Sequence, residues 1–472
     1  MEKIKPYTKY RPSKTVWFDS IPNEWIVCKV KHIAKTYAGG TPSTGNPNYW
    51  ENGNIPWLPS GKLQNAIITT ANKFITEEGL NNSSTKWIKP NTVLIALTGA
   101  TCSNIGYLTF EACANQSVVA IVESKVKSNS RYLYFMFLAI RSQILTYKNG
   151  GAQAGINDRD VKELIILNPS LPEQTAIANF LDFKTAKIDR FIRKKKQLIK
   201  LLNEQKAGII NNAVTKGLNP KAKMKPSGIE WLGDIPEHWE LGKLKSYASA
   251  YGRIGFRGYK TTDLVSSGEG AITISPSNMK LDFMTFEKCS YLSWEKYEES
   301  PEIKIYNDDL IMVKTGSTYG KVGIVKTLSE KATINPQLLV FKNVRINPNY
   351  LYLLLKSNLV QTQVKMEVIG STIPTISQAK ILNFKIILPP VNEIETLLTS
   401  IAKETEKLNA AITTIEKEIA LTQEYRTTLI AEAVTGKIDV RNYKVPEIVE
   451  EEELTDDTDD EVLEETTNDD EL

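Results

Sequence analysis

Between residues 251 and 260 the chain reads YGRIGFRGYK, in which Arg253, Arg257 and Lys260 alternate with Tyr251, Phe256 and Tyr259. Four further stretches share this chemistry: TYAGGTPSTGNPNYW (36–50), PWLPSGKLQN (56–65), TGATCSNIG (98–106) and KTGSTYGKVG (314–323). Together they mix glycine with amides, hydroxyls, cations and aromatic rings. Arginine and side-chain amides can read base edges, while lysine, hydroxyls and backbone N–H groups hold phosphates. The candidate nucleic-acid contacts in the first half are Lys62, Gln64, Thr98, Ser103, Asn104 and Gln153. In the second half they are Arg253, Arg257, Tyr259, Lys260, Lys314, Thr318, Tyr319, Lys321, Ser371 and Thr372.

Other chemistries are poorly supplied. The two histidines, His32 and His238, leave no zinc site or Ser-His-Asp triad to assemble. Cys28, Cys102, Cys113 and Cys289 show no CxxC spacing and fit free thiols of a reducing compartment. Around Lys321, GSTYGKV misses the phosphate-loop spacing by one residue and carries Val322 where Ser or Thr is required. Glu302-x-Lys304 with upstream Asp282 is a loose echo of a nuclease metal site, without a counterpart in the other half of the chain. The sequence therefore predicts binding and not catalysis, with no catalytic residues and no metal of its own.

Charge supports a polyanionic partner. Of 55 Asp/Glu, 15 lie between Pro446 and Leu472, which leaves 40 against 58 Lys/Arg in the body. The tail, dense in like charge and poor in aromatics, is expected to be disordered, and its acids suit either folding back over the basic surface or simply keeping the protein soluble. No run of about 18 apolar residues marks a membrane span. The start, MEKIKPYTKYRPSK, lacks the apolar core of a secretory leader.

The elements that carry these loops occur twice. Pro12, Ser13, Trp17, Ile21, Pro22 and Trp25 return as Pro226, Ser227, Trp231, Ile235, Pro236 and Trp239. VLIALTGATCSNIGYL (93–108) returns as LIMVKTGSTYGKVGIV (310–325), an apolar strand, a Thr-Gly turn and a second strand each time. RYLYFMFLAIRS (131–142) returns as NYLYLLLKSNLV (349–360), a short amphipathic helix. GGAQAGIN (150–157) pairs loosely with GSTIPTIS (370–377).

Each half ends in a long helical stretch. In 171–217, Ile177, Leu181, Ile188, Phe191, Leu198, Leu202 and Ile209 form a heptad seam, and Pro172 and Gly217 suit its two ends. In 391–437, Leu397, Ile401, Leu408, Ile415, Tyr425 and Leu429 form its counterpart. The first stretch carries ten Lys/Arg against four acids, the second eight acids against five bases, so the two suit one another as an antiparallel pair about 67 Å long. The resulting order is an N-terminal arm (1–14), a globular unit (15–170), a long helix (171–217), a linker (218–230), a second globular unit (231–390), a second long helix (391–437) and the tail (438–472). The fold class is α+β: two similar globular α/β units separated by paired antiparallel coiled-coil helices, in a pseudo-twofold internal repeat.

The chain resembles the specificity subunits of Type I restriction-modification enzymes over nearly all of its length up to about residue 440. The resemblance rests on the paired WxxxIPxxW leaders, the Thr-Gly turns, the Pro172-Glu173-Gln174 helix entry and the helix ends NNAVTKGL and AEAVTGKI. Asn392-Glu393-Ile394 replaces the Glu-Gln pair in the second copy, and the acidic tail departs from the family pattern. The resemblance implies two target recognition domains, each reading one half of a split, asymmetric double-stranded DNA site. It implies helices that fix the unread spacer and dock two modification subunits, which supply S-adenosylmethionine and adenine methylation. Restriction subunits using ATP and Mg would join them, in the cytoplasm and away from membranes. A Type IIB-like restriction-modification assembly implies the same DNA role with other partners. The alternative from a different class is a metal-dependent nuclease built on Glu302 and Lys304.

Overall fold

The computed structural model describes residues 5–149, 154–280, 284–368 and 374–446. Gln153, Asp282, Ser371, Thr372 and the chain from residue 447 onward lie outside the described residues. Two compact units emerge, the first formed by residues 1–193 and 419–472, the second by residues 194–418. Described segments from before and after the second unit therefore build the first unit.

The first unit centres on a sheet ordered Ala34–Ala38, Val118–Glu123, Thr92–Ala96, Ile105–Leu108, Ala66–Ile68. Its first three pairings are antiparallel and the last is parallel. The second unit repeats the first four strands as Ser249–Gly252, Leu338–Lys342, Leu310–Val313, Val322–Ile324, all antiparallel. One parallel pairing in each unit matches as well. Cys113–Ala114 lies parallel to Ile55–Leu58, and Ala332–Ile334 lies parallel to Gly270–Ile274. The central strands Thr92–Ala96 and Leu310–Val313 are buried along their whole length, as unbroken apolar runs covered on both faces must be.

One short helix per unit covers the sheet, Ser130–Ala139 and Pro348–Lys356. Asn129 and Asn347 begin them, each accepting two backbone N–H groups that the first turn leaves unpaired. Tyr132 and Tyr350 are fully buried and donate their hydroxyls to Leu167 O (2.9 Å) and Ile387 O (3.1 Å).

The long helices span Leu171–Lys216 and Val391–Val434. In the first unit Arg441 lies 3.9 Å from Glu173 and Arg426 grips Asp189 with two hydrogen bonds of 2.9 and 3.3 Å, so the two strands of sequence run in opposite directions. In the second unit Lys195 meets Glu418 at 2.7 Å and Lys206 meets Asn409 at 2.8 Å, again antiparallel. Asp189 with Arg426 and Asn409 with Lys206 are counterparts in the repeat, with the basic group retained in both.

The seam itself differs from the sequence pattern. Phe191, Leu198 and Tyr425 are about two-fifths exposed, while Ile192 is buried and Ile199 half-buried. Ile177, Leu181, Leu397, Ile401, Ile415 and Leu429 are buried, and Ile188, Leu202, Ile209 and Leu408 are half-buried. The cause is polar residues in the seam. Buried Thr185 and Thr405 occupy matching positions and return their hydroxyls to Leu181 O and Ile401 O, and Lys195 and Lys206 fill later steps. Skipping them shifts the apparent seam by one residue onto Phe191 and Leu198.

Residues 438–446, counted with the tail from sequence, belong to the first unit. Val440 is fully buried, Asp439 N donates to Lys5 O, and Tyr443 packs edge-on against Phe180 at 4.8 Å. The seam assignment is tested by two truncations in the second unit. Ile401→Ala is predicted to cost about 2–5 kcal/mol and Leu198→Ala under about 1 kcal/mol in urea unfolding. The reverse order would restore the sequence-derived register.

Candidate nucleic-acid interface

In an antiparallel sheet, the strands flanking a central strand both end where it begins. Gly252 pairs with Leu339 and Val313 with Leu338, so the segments 253–260 and 314–321 leave the second unit's sheet side by side at one end. The segment Pro374–Ile376 joins them: Gly316 N donates to Pro374 O (3.0 Å), Ile376 N donates to Lys314 O (2.9 Å), and Thr315 bridges Thr375. Gly316 holds φ of 107°, a backbone conformation that favours glycine.

The first unit builds the same end from the same parts. Gly99, at φ of 65°, donates its N–H to Ala154 O (3.3 Å), Ile156 N donates to Leu97 O (2.8 Å), and Thr98 bridges Gly155. The loose sequence match between 150–157 and 370–377 thus marks a shared pairing with the Thr-Gly turn. Asn149 and Gly155 exchange two backbone hydrogen bonds at the base of that segment.

Two candidates are unavailable for DNA contact. Ser103 is fully buried in a left-handed backbone (φ 73°), and its hydroxyl has no partner among the described residues. Arg253 is only 5% exposed. Its Nε donates to Ile334 O (3.2 Å), Nη1 to Arg257 O (3.3 Å) and Nη2 to Thr333 Oγ1 (3.0 Å), while the Tyr259 ring covers it at 5.3 Å. In the first unit the corresponding carbonyl, Ala114 O, is satisfied by the Gly40 N–H. Arg253 supplies from a side chain what a backbone supplies there, and burial depresses its pKa.

The rest are distributed as follows. Arg257 pairs with Glu302 at 3.2 Å, and Lys304 pairs with Glu298. Glu302 and Lys304 are thus held in separate ion pairs, and Asp282, the third residue of that spacing, lies outside the described residues. Lys62 donates to Asn72 Oδ1 (2.9 Å), Gln64 is exposed, and Thr98 is half-buried at its turn. Asn104 Oδ1 accepts from Arg141 Nη2 (3.1 Å) and faces Asn65 Nδ2 (3.5 Å). Thr318 and Lys260 are exposed; Tyr319 is half-buried and packs on the core. Lys314 and Lys321 are half-buried and burial lowers both pKa values, with Lys280 and Lys356 adding repulsion at Lys321. Asn65 and Arg141, which organise the first unit's turn, escaped the sequence reading. The available signal was an asparagine in a loop, since Asn tolerates the φ of 61° that Asn65 adopts.

The model of the Type I restriction modification DNA specificity domain matches residues 22–201 and 274–423, more than half of the chain and one segment from each copy of the repeat. The chain belongs to this family. Among its curated relatives, the MjaVIII specificity subunit of Methanocaldococcus jannaschii is 24% identical over 428 residues, covering 89% of this chain and 95% of that protein. The EcoKI specificity subunit of Escherichia coli is 22% identical, covering 89% and 90%. The EcoR124I/EcoR124II specificity subunit of Escherichia coli is 26% identical over 236 residues, about half of each chain. A solved chain from a type I R-M system superposes with a TM-score of 0.59 at 14% identity, covering 89% of this chain and 99% of that one. As a family member this chain is a Type I specificity subunit, and its part is DNA recognition rather than catalysis. Among the described residues no helix is long and apolar enough to cross a membrane.

The split between structural and surface cations is measurable. Arg253→Met, which strips the donors from Ile334 O and Thr333 Oγ1, is predicted to destabilise the second unit by about 1–3 kcal/mol. Lys260→Ala should stay within about 0.5 kcal/mol. Equal effects in chemical denaturation would place Arg253 outside the fold's framework.

Proposed function

We propose that each unit reads one half of a bipartite, asymmetric double-stranded DNA target, and that the long helices set the unread spacer and dock two modification subunits. The observation that carries this reading is a shared scaffold with divergent loops. Each unit brings three loops to the same end of the same sheet, yet around the shared Thr-Gly step Leu97, Cys102 and Asn104 of one correspond to Lys314, Tyr319 and Lys321 of the other. Equivalent frames with different side chains suit two different half-sites.

In this reading the chain supplies no cofactor. The modification subunits bring S-adenosylmethionine, and restriction subunits bring ATP and Mg. The assembly works in the cytoplasm, where the DNA is. Mapping methylated adenines in cells carrying the complete system is predicted to give two short specified blocks around an unread spacer. Removing one heptad from each long helix should change the spacer and keep both blocks. A single uninterrupted motif, or DNA cleavage by this chain alone with Mg²⁺, would contradict the proposal.

A further inference from the structure

Lys314 is the first residue after the strand Leu310–Val313, at the end of the sheet where the loops gather. Its backbone is fixed on both sides, by Lys314 N to Gln337 O (2.8 Å) and by Ile376 N to Lys314 O (2.9 Å). Its side chain crosses the start of the neighbouring strand to reach Gly252, where the 253–260 segment departs. A Cβ added to Gly252 would stand 3.3 Å from Nζ and 3.5 Å from Cε. The ammonium thus lies between the two loops richest in candidate contacts.

No acceptor or carboxylate is paired with that ammonium among the described residues, and burial alone displaces its pKa downward. A half-buried cation without a partner is unfavourable for folding. The framework does not require it either. The equivalent residue of the first unit is Leu97, buried at 6% exposure, in the same strand-to-turn step and with the same backbone bonds on its partner segment. The equivalent of Gly252 there is Ala38, so the second unit pairs a longer polar side chain with a smaller floor. At the start of the adjoining strand, Lys280 and Lys356 repel Lys321, so cations also gather at that neighbouring position.

We propose that Lys314 is a specificity-determining residue, whose ammonium donates to an acceptor on a DNA base edge in the half-site read by the second unit. The inference rests on the DNA-recognition reading above. The acceptor chemistry is that of guanine O6 or N7 in the major groove. Lysine is suited to it because its three donors rotate on a flexible stem to meet a fixed acceptor.

The test is selection of bound duplexes from a random-sequence library by the full-length chain in its assembled complex. Three proteins are compared: wild type, Lys314→Met and Gly252→Ala. Lys314→Met keeps the stem and removes the donors. Gly252→Ala keeps the lysine and crowds its ammonium from below, so it serves if the first variant fails to fold. Both variants are expected to lose discrimination at one base pair of one half-site by roughly 5- to 150-fold, the range of a direct base contact. The other half-site and the spacer should be unchanged. An even loss of affinity with the motif intact would reduce Lys314 to a phosphate contact and overturn the proposal, as would an unchanged motif and affinity. Absence of any selected motif with wild type would instead bring down the DNA-recognition reading itself.

Discussion

The structure depends on a carboxylate at the start of each long helix, buried at Glu173 and half-buried at Glu393. Glu173 accepts the indole N–H of Trp25 (3.1 Å) and the hydroxyl of Tyr7 (2.7 Å). Glu393 accepts the indole N–H of Trp239 (3.1 Å) and faces His238 Nε2 at 3.0 Å. A buried carboxylate without donors costs several kcal/mol, so the leader segment and the helix entry are bound to form together. The same tryptophans close on the far end of the other long helix. Gly436 and Gly217 both take φ near 74°, and a Cβ at either would come within about 3.3 Å of Trp25 or Trp239. Each tryptophan therefore ties together a leader, one helix beginning and one helix end within its own unit. Burial raises the pKa of Tyr7, and the Glu173 carboxylate raises it further, keeping the phenol a donor.

On that frame the loops are free to differ. The strands that carry them are satisfied by their own ladders and by buried apolar faces, so side chains at the open end contribute little to folding. Some of that freedom is taken up by structure, as with Arg253 holding Ile334 O or Arg141 holding Ser103 O and Asn104 Oδ1. What is left over, including Gln64, Lys260, Lys314 and Thr318, is the polar surface on which recognition can be written. The tethered and untethered cations are indistinguishable by residue type, which is why YGRIGFRGYK looked richer than it is.

The repeat, the strand-turn-strand units and the two long helices were legible because each is a local pattern: apolar alternation, a glycine turn, a heptad. The architecture of each unit followed from them. The seam register was not legible, because Thr185, Thr405, Lys195 and Lys206 fill it with polar atoms and leave apolar Phe191 and Leu198 outside. The place of 438–446 was hidden for a similar reason. Val440 and Tyr443 are two apolar residues in a polar stretch, and only long-range packing on the first unit explains them. Burial of Arg253 depends on a carbonyl 81 residues away, beyond any local pattern. Glu393 could be matched to Glu173 from the sequence, but that both accept a tryptophan indole N–H depends on packing about 150 residues apart and was not legible. Gln174 staples Asn129, Asn168 and Pro169, and buried Ile394 takes its place in the second copy.

The central claim is that one frame, used twice, takes its specificity from the segment between the strands it holds. Replacing residues 249–384 with residues 35–164 keeps the second unit's leader, helices and tryptophan–glutamate contact while giving it the first unit's loops. Selection from a random duplex library by that chimera should return a site whose two halves carry the same sequence. A folded chimera that still selected the original second half-site would place recognition in the helices or leaders and contradict the account.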